Sequence, residues 1–193
     1  MIQDYIGYLE HASPALLGLP TENAGKGGYT IFAHMLGCFQ GVPWCAVFVH
    51  AMYREQFGRE QAERMLGKPQ AGVRQLARRM KLSGRWRGRD YTPKPWDIVF
   101  CSDRSDHRLT HCGIVERLEG RGVISIEGNT VDPSGVFQPE QGGAVARRWR
   151  ETDDVRIVGY AAIYSFARKQ VGFCKNRYTR RIIPCTSTSR PST

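Results

Sequence analysis

Cys45 stands where a thiol could serve as a nucleophile. A turn, Gly41-Val42-Pro43, comes just before it, and Cys45, Phe48, Val49 and Met52 recur at the i, i+3, i+4, i+7 spacing of one helix face. That spacing predicts a helix with Cys45 in its first turn. Unpaired backbone N–H groups and the positive end of the helix dipole lie there, and both favour a thiolate over a thiol. The thiolate is the reactive form. The competing reading is a core cysteine, since free cysteine is among the most buried residue types.

A catalytic thiol needs a base within hydrogen-bond reach, and the base needs an orienting partner. Five histidines compete for the role of base. His50 lies on the Cys45 helix but five positions on, about 140° around the axis, so it faces away. His11 and His34 precede the helix, and His107 falls inside a polar loop. His111 opens a strand at a loop–strand junction, where its ring can project over a helix N-terminus. The following strand ends in Glu127-Gly128-Asn129. Two neighbouring antiparallel strands would bring Glu127 or Asn129 beside the His111 ring, where a side-chain oxygen fixes one tautomer. Strand alternation puts Ser125 and Glu127 on one face, Ile124 and Ile126 on the other. The plainer reading of Glu127 is a solvated strand-end residue. A zinc site from Cys101, His107, His111 and Cys112 has suitable ligand types. It is disfavoured because His111 and Cys112, adjacent on an extended strand, are expected on opposite faces. No metal and no cofactor are expected.

The elements that must position these residues divide the chain into halves. Helical patterns occur at 2–10, 29–36, from Cys45 to about Phe57, 60–66 and 73–80, with Gly37, Gly58 and Gly67 as stops. Beyond Ser83-Gly84 the period changes to that of strands: 96–101, 111–116, 123–127, 144–149 and 157–164. The glycine-rich stretch 21–28 lacks the GK[ST] ending and the preceding strand of a phosphate loop. Segregated helices and strands predict an α+β domain, with the Cys45 helix packed on an antiparallel sheet.

A chain of 193 residues, 41% hydrophobic, is large enough for one domain with a real core. It has no apolar run of the roughly 20 residues that a membrane helix needs. The start, Met1-Ile2-Gln3-Asp4-Tyr5, has no basic region followed by an apolar one, so no secretory signal is expected. The net charge of +10 is uneven. Arg168, Lys169, Lys175, Arg177, Arg180, Arg181 and Arg190 lie after the last strand with no acid among them, and a second basic block runs from Arg74 to Arg89. Such blocks suit anionic partners, or simply a solvated face and a disordered tail. Neither block is interleaved with aromatics as in a nucleic-acid motif, so no nucleic-acid partner is expected. The six cysteines form no CxxC pair. Cys174 and Cys185 in the tail are candidates for pairing with each other.

Several stretches together resemble one family. Pro43-Trp44-Cys45-Ala46-Val47-Phe48-Val49 resembles the PWCAxFV signature of the CHAP family, the cysteine- and histidine-dependent amidohydrolases/peptidases. Residues 95–100 are similar to its PGDIVFF strand, with Trp96 in place of the usual glycine. Residues 111–116 are similar to its HVGIVE strand, residues 124–130 to its IxxIEGNT strand, and residues 157–161 to its IxGYARP segment. Order and approximate spacing agree from about Ile2 to Phe166. This bounds a catalytic domain at 1–166, followed by a basic Ser/Thr-rich tail, 167–193, expected to be disordered.

The resemblance implies a papain-like α+β fold and a peptidoglycan hydrolase, either an N-acetylmuramoyl-L-alanine amidase or a cell-wall endopeptidase. It implies Cys45 as nucleophile, His111 as general base and acid, Glu127 as orienter of His111 and Asn129 as an assistant. The oxyanion would meet the Cys45 backbone N–H and an upstream side chain, with Tyr29 and Gln40 both candidates. Some relatives bind calcium in an Asp-rich loop before the cysteine. Here that region has Glu22 and Asn23 but no aspartate, so calcium is not expected. The expected partners are peptidoglycan and, through the tail, anionic wall polymers. The expected route is cytoplasmic synthesis with non-classical or phage-type release to the wall. A cysteine peptidase acting on proteins and a non-catalytic wall-binding module are the alternatives.

Overall fold

The computed structural model describes residues 2–13, 15, 17, 27–102, 108–131 and 142–163, and the backbone of two short strands at 173–175 and 182–184. The N-terminal segment is a 3-10 helix only over Ile2–Tyr5. The amphipathic helix expected at 2–10 stops there because the next residues pair with a strand edge. Gly7 N donates to Val145 O (2.9 Å), Val145 N to Tyr8 O (2.9 Å) and Glu10 N to Gly143 O (2.8 Å).

Helix α1 (Ile31–Leu36) is capped by Thr30, whose side chain accepts from Ala33 N, and ends at Gly37 with φ 75. Helix α2 (Cys45–Phe57) begins at the thiol, as the spacing predicts. Every residue from Cys45 to Tyr53 is buried, because α1, α3 (Arg59–Leu66) and the sheet all pack on it. That accounts for a sequence apolar on more than one face. Helix α4 (Val73–Leu82) turns Val73, Leu76, Ala77 and Met80 inward and its basic residues outward. Among the described residues no helix is long and apolar enough to cross a membrane.

Six strands form one antiparallel sheet: β1 (Trp86–Arg87), β2 (Ile98–Cys101), β3 (His111–Glu119), β4 (Gly122–Thr130), β5 (Ala144–Glu151) and β6 (Ile157–Ala161). Their order is β1-β6-β2-β3-β4-β5. The domain is therefore α+β, with α2 lying on β3 and β4. Strand β1 has too few residues to show a period and was not anticipated. Ile98, Phe100, Cys112, Ile114 and Ile126 face the helices. Val99, Cys101, Val115, Val123, Ile157 and Tyr160 form a smaller cluster on the other face. Trp96 takes φ 71, a left-handed conformation that suits the glycine of the resembled pattern. Its ring packs against Tyr53 and Phe57, with centroids 5.5 and 5.1 Å away. Beside it, buried Asp97 accepts from Tyr91 Oη (2.9 Å), Lys94 N (2.8 Å) and Ile163 N (2.8 Å), tying β2 to the end of β6.

The tail expected at 167–193 lies outside the described residues except for β7 (Phe173–Lys175) and β8 (Ile182–Pro184), which pair antiparallel.

Candidate active site

Cys45 is the first residue of α2, and the N-cap Trp44 makes no side-chain capping bond to the first turn. The N–H groups there are left for another acceptor. Trp44 fixes where the turn begins. Its indole Nε1 donates to buried Glu10 Oε2 at 2.7 Å, and its ring stacks on Phe32 with centroids 5.5 Å apart. Gly128 is the corresponding contact on β4. A Cβ there would stand 2.6 Å from both Trp44 Cζ3 and Phe48 Cβ, so only glycine lets the strand approach α2 this closely.

His111 is the first residue of β3. Its Nε2 lies 2.8 Å from Glu127 Oε2. The Cys45 sulfur is close enough for it and the ring to favour each other's charged form. Glu127 is fully buried. Its Oε1 accepts from Ser125 Oγ at 2.6 Å and from Arg150 Nη1, and its Oε2 accepts from Arg150 Nη2 at 3.1 Å. An unbroken row of side chains thus runs Arg150, Glu127, His111, Cys45.

The charges in this row support one another. Burial works to raise the Glu127 pKa, but His111 and Arg150 outweigh it and hold the carboxyl well below the usual carboxylate range. Burial likewise works against a charged His111, yet Glu127 and Cys45 push its pKa up to about 10. The Cys45 thiol is driven well below its ordinary value, first by a hydrogen bond from Cys112, then, against burial, by His111. The two shifts favour the thiolate–imidazolium form of the pair. Cys45 is only 2% exposed, whereas the His111 side chain keeps 14% of its surface. The imidazole is the most exposed part of this row, ahead of Arg150 at 10%.

Residues 37–129 match the family model described as the CHAP domain. That match spans Cys45, His111 and Glu127 and supports reading this stretch as a CHAP domain. No curated protein matches the chain. A solved structure titled "The crystal structure of Ly7917" is similar at 19% identity over 42% of this chain and 32% of that one, with a TM-score of 0.28. The match spans about a third of that chain, and so low a score carries no argument.

Within this CHAP domain the other candidate residues are less central. Asn129 lies two residues past Glu127 with φ 55, at the irregularity where the β4–β5 register shifts. Asparagine tolerates that backbone. Its side chain makes no hydrogen bond to His111 or Glu127 among the described residues. Both ends of the Gln40 amide are engaged with the Thr30 backbone, at 2.8 and 2.9 Å, so Gln40 braces the start of α1. The Tyr29 ring lies against Gly41, in the turn that leads to Cys45. His50 is buried away from the row, and its Nε2 has no hydrogen-bond partner among the described residues.

His107 and residues 22–23 fall outside the described residues. Among those described, no group of three or more His, Cys, Asp or Glu is placed to hold a metal ion.

Sequence reasoning missed two parts of the site. It gave Arg150 no role, although Arg148 and Arg150 alternate with Arg147 and Trp149 and so share a face with Glu127 through the Glu127–Ala146 pairing. It placed Ser125 correctly beside Glu127 without a function.

Proposed function

We propose that this CHAP domain is a peptidoglycan hydrolase on a papain-like scaffold, cutting an amide bond by nucleophilic catalysis from Cys45. The observation that carries the reading is the row from the α2 N-terminus through His111 to Glu127, with surroundings that favour the thiolate of Cys45. The Cys45 thiolate attacks the amide carbonyl. His111, protonated and edge-exposed, gives its proton to the leaving amine, then takes one from the water that releases the acyl-enzyme. Glu127 holds the ring and balances its charge. The oxyanion forms beside the Cys45 backbone N–H. Of the side-chain candidates, Tyr29 is favoured because Gln40 is engaged at both ends. Asn129 shapes the end of β4.

Mass spectrometry of fragments released from purified peptidoglycan tests this reading, with Cys45→Ala as control. Intact stem peptides freed from muramic acid identify an amidase, and shortened peptides with new N-termini an endopeptidase. Equal release by Cys45→Ala ends the proposal. Cleavage of a protein but not of sacculi transfers the same chemistry to a protein substrate.

Access to the wall follows a phage-endolysin-like route in this reading, and the basic segment after residue 167 binds anionic wall polymers. Deleting residues 168–193 then weakens wall binding in a salt-sensitive way. Equal binding with and without them removes the segment from the mechanism.

A further inference from the structure

We infer that the outer face of α4 is a docking surface for a linear phosphodiester polymer, with Arg74, Arg78 and Lys81 as its contact residues. This rests on the reading of the protein as a wall hydrolase, and it gives anionic wall polymers an ordered seat on the domain itself.

From Lys68 to Arg89 the sequence holds no acidic residue. Several cations in this stretch have structural work. Arg85 is buried and donates to Arg64 O at 3.3 Å. Arg87 donates to Gly84 O and Trp86 O, and Arg89 to Asp153 O. Arg79 lays its side chain on Gly67, where a Cβ would stand 2.2 Å from its Nε. Arg74 and Arg78 differ. Both are exposed, and their side chains have no hydrogen bond or ion pair among the described residues. The exposed Lys81 places its ammonium 4.6 Å from the centre of the Trp86 ring, a contact that positions the charge without neutralising it. The acids of the neighbouring α3 are engaged elsewhere, Glu60 with Arg64 and Glu63 with Arg59.

The three cations stand at i, i+4 and i+7 of α4. They therefore lie within about 60° of one another around the axis and span about 10 Å along it. A compact anion meets one part of such a row, whereas a chain with a charge at each repeat meets all of it. The guanidinium fork suits phosphate oxygens. Other polyanions fit less well. A helix that lies on a lipid surface inserts its apolar face. Here Val73, Leu76, Ala77 and Met80 are buried in the core, and of the apolar residues of α4 only Leu82 is exposed. Single-stranded nucleic acid is held by stacking on aromatic rings. The aromatic beside this row, Trp86, is half-buried and has Lys81 over its ring. Helix α4 packs by β1 at one edge of the sheet, and His111 is on β3, three strands further in. At the usual strand spacing that is about 14 Å, so a polymer on α4 is held to one side of the thiol.

The test is calorimetric titration of the full chain with poly(glycerol phosphate) over a series of salt concentrations. This probe contains no amide, so the result is independent of which bond Cys45 cuts. The variant Arg74→Gln/Arg78→Gln/Lys81→Gln is compared with a charge-matched one, Lys94→Gln/Arg117→Gln/Arg121→Gln, that removes exposed cations elsewhere. The expected result is binding about tenfold weaker or more in the α4 variant only. The slope of log K against log salt falls by about one for each α4 cation removed. Arg78→Glu alone, in the middle of the row, shows part of the same loss. Wild-type binding by the α4 variant overturns the inference, as does an equal loss in the charge-matched variant, which would make net charge the cause. Tighter binding of a single-stranded DNA oligonucleotide, or of vesicles of equal parts phosphatidylglycerol and phosphatidylcholine, overturns the choice of partner. Failure of the hydrolase reading shows elsewhere: Cys45→Ala would release wall fragments as well as the wild type does.

Discussion

The space that Gly113 leaves open is filled by the side chain of Glu127. A Cβ at Gly113 would stand 2.5 Å from Glu127 Cγ, and the far end of that side chain is already held by His111, Ser125 and Arg150. The carboxylate cannot yield without losing a partner. Gly113→Ala is therefore expected to push Glu127 off the imidazole. Misplacement of about an ångström costs on the order of a hundredfold in rate. Wall hydrolysis measured beside circular dichroism checks this: the rate falls while the spectrum stays native. A Gly113→Ala enzyme of normal rate would mean that Glu127 does not orient the base.

Arg150 is only 10% exposed at its side chain and engages both oxygens of Glu127. Arg150→Met strands a buried carboxylate with one fewer cation, and breaking such a pair typically costs about 3–5 kcal/mol. Arg150→Lys keeps the charge but not the fork, so its loss is smaller. Urea unfolding of both variants measures the difference. Equal stability of the methionine variant and the wild type removes Arg150 from the support of the site.

The pH dependence of stability follows from His111. Its pKa is raised from 6.5 to about 10 in the fold, chiefly by Glu127 and Cys45 overcoming burial. A raised value stabilises fully below the unfolded pKa, 6.5, and the contribution fades as pH rises through about 10. Glu127→Gln removes most of it. The gap in melting temperature between wild type and Glu127→Gln should thus be wide near pH 6 and narrow towards pH 10, without closing, because Arg150 still pairs with the wild-type carboxylate. A gap that widens with pH has the wrong sign. The His111 ring resonances followed by NMR give the midpoint directly.

Glu10 positions Cys45 through Trp44. Glu10→Ala leaves the buried indole N–H without an acceptor, at a cost of about 1–3 kcal/mol, whereas Glu10→Gln retains a carbonyl oxygen there. Thermal melts should rank wild type, Gln, Ala in falling order, and Trp44 fluorescence should change most in the alanine variant. Identical melts for Gln and Ala would show that the 2.7 Å contact is not what anchors the turn.

Much of this arrangement was legible in the sequence, for definable reasons. The start of α2 was readable because a turn, a thiol and a 3.6-residue apolar period coincide within a dozen residues. The proximity of His111 to Glu127 follows from two consecutive strands joined by a tight turn at Gly120 and Gly122. Arg150 was not legible. It pairs opposite Val123 and reaches Glu127 only by its length, and the connection between β4 and β5 is too long to set their register from sequence. The segment 2–10 misled because an apolar run that pairs with a strand edge can imitate a helix face over so short a span.

The row Arg150, Glu127, His111, Cys45 alternates cation, anion, cation, anion, so it is electrically closed upon itself. Such a row projects little field into solvent, although the chain as a whole carries +10. On the proposed function, attraction of a polyanionic wall falls to arginines and lysines elsewhere and is screened by salt. The bond-breaking step draws on charges already neutralised in place. Ionic strength should then move KM while leaving kcat nearly still, separating how the enzyme finds the wall from how it cuts it.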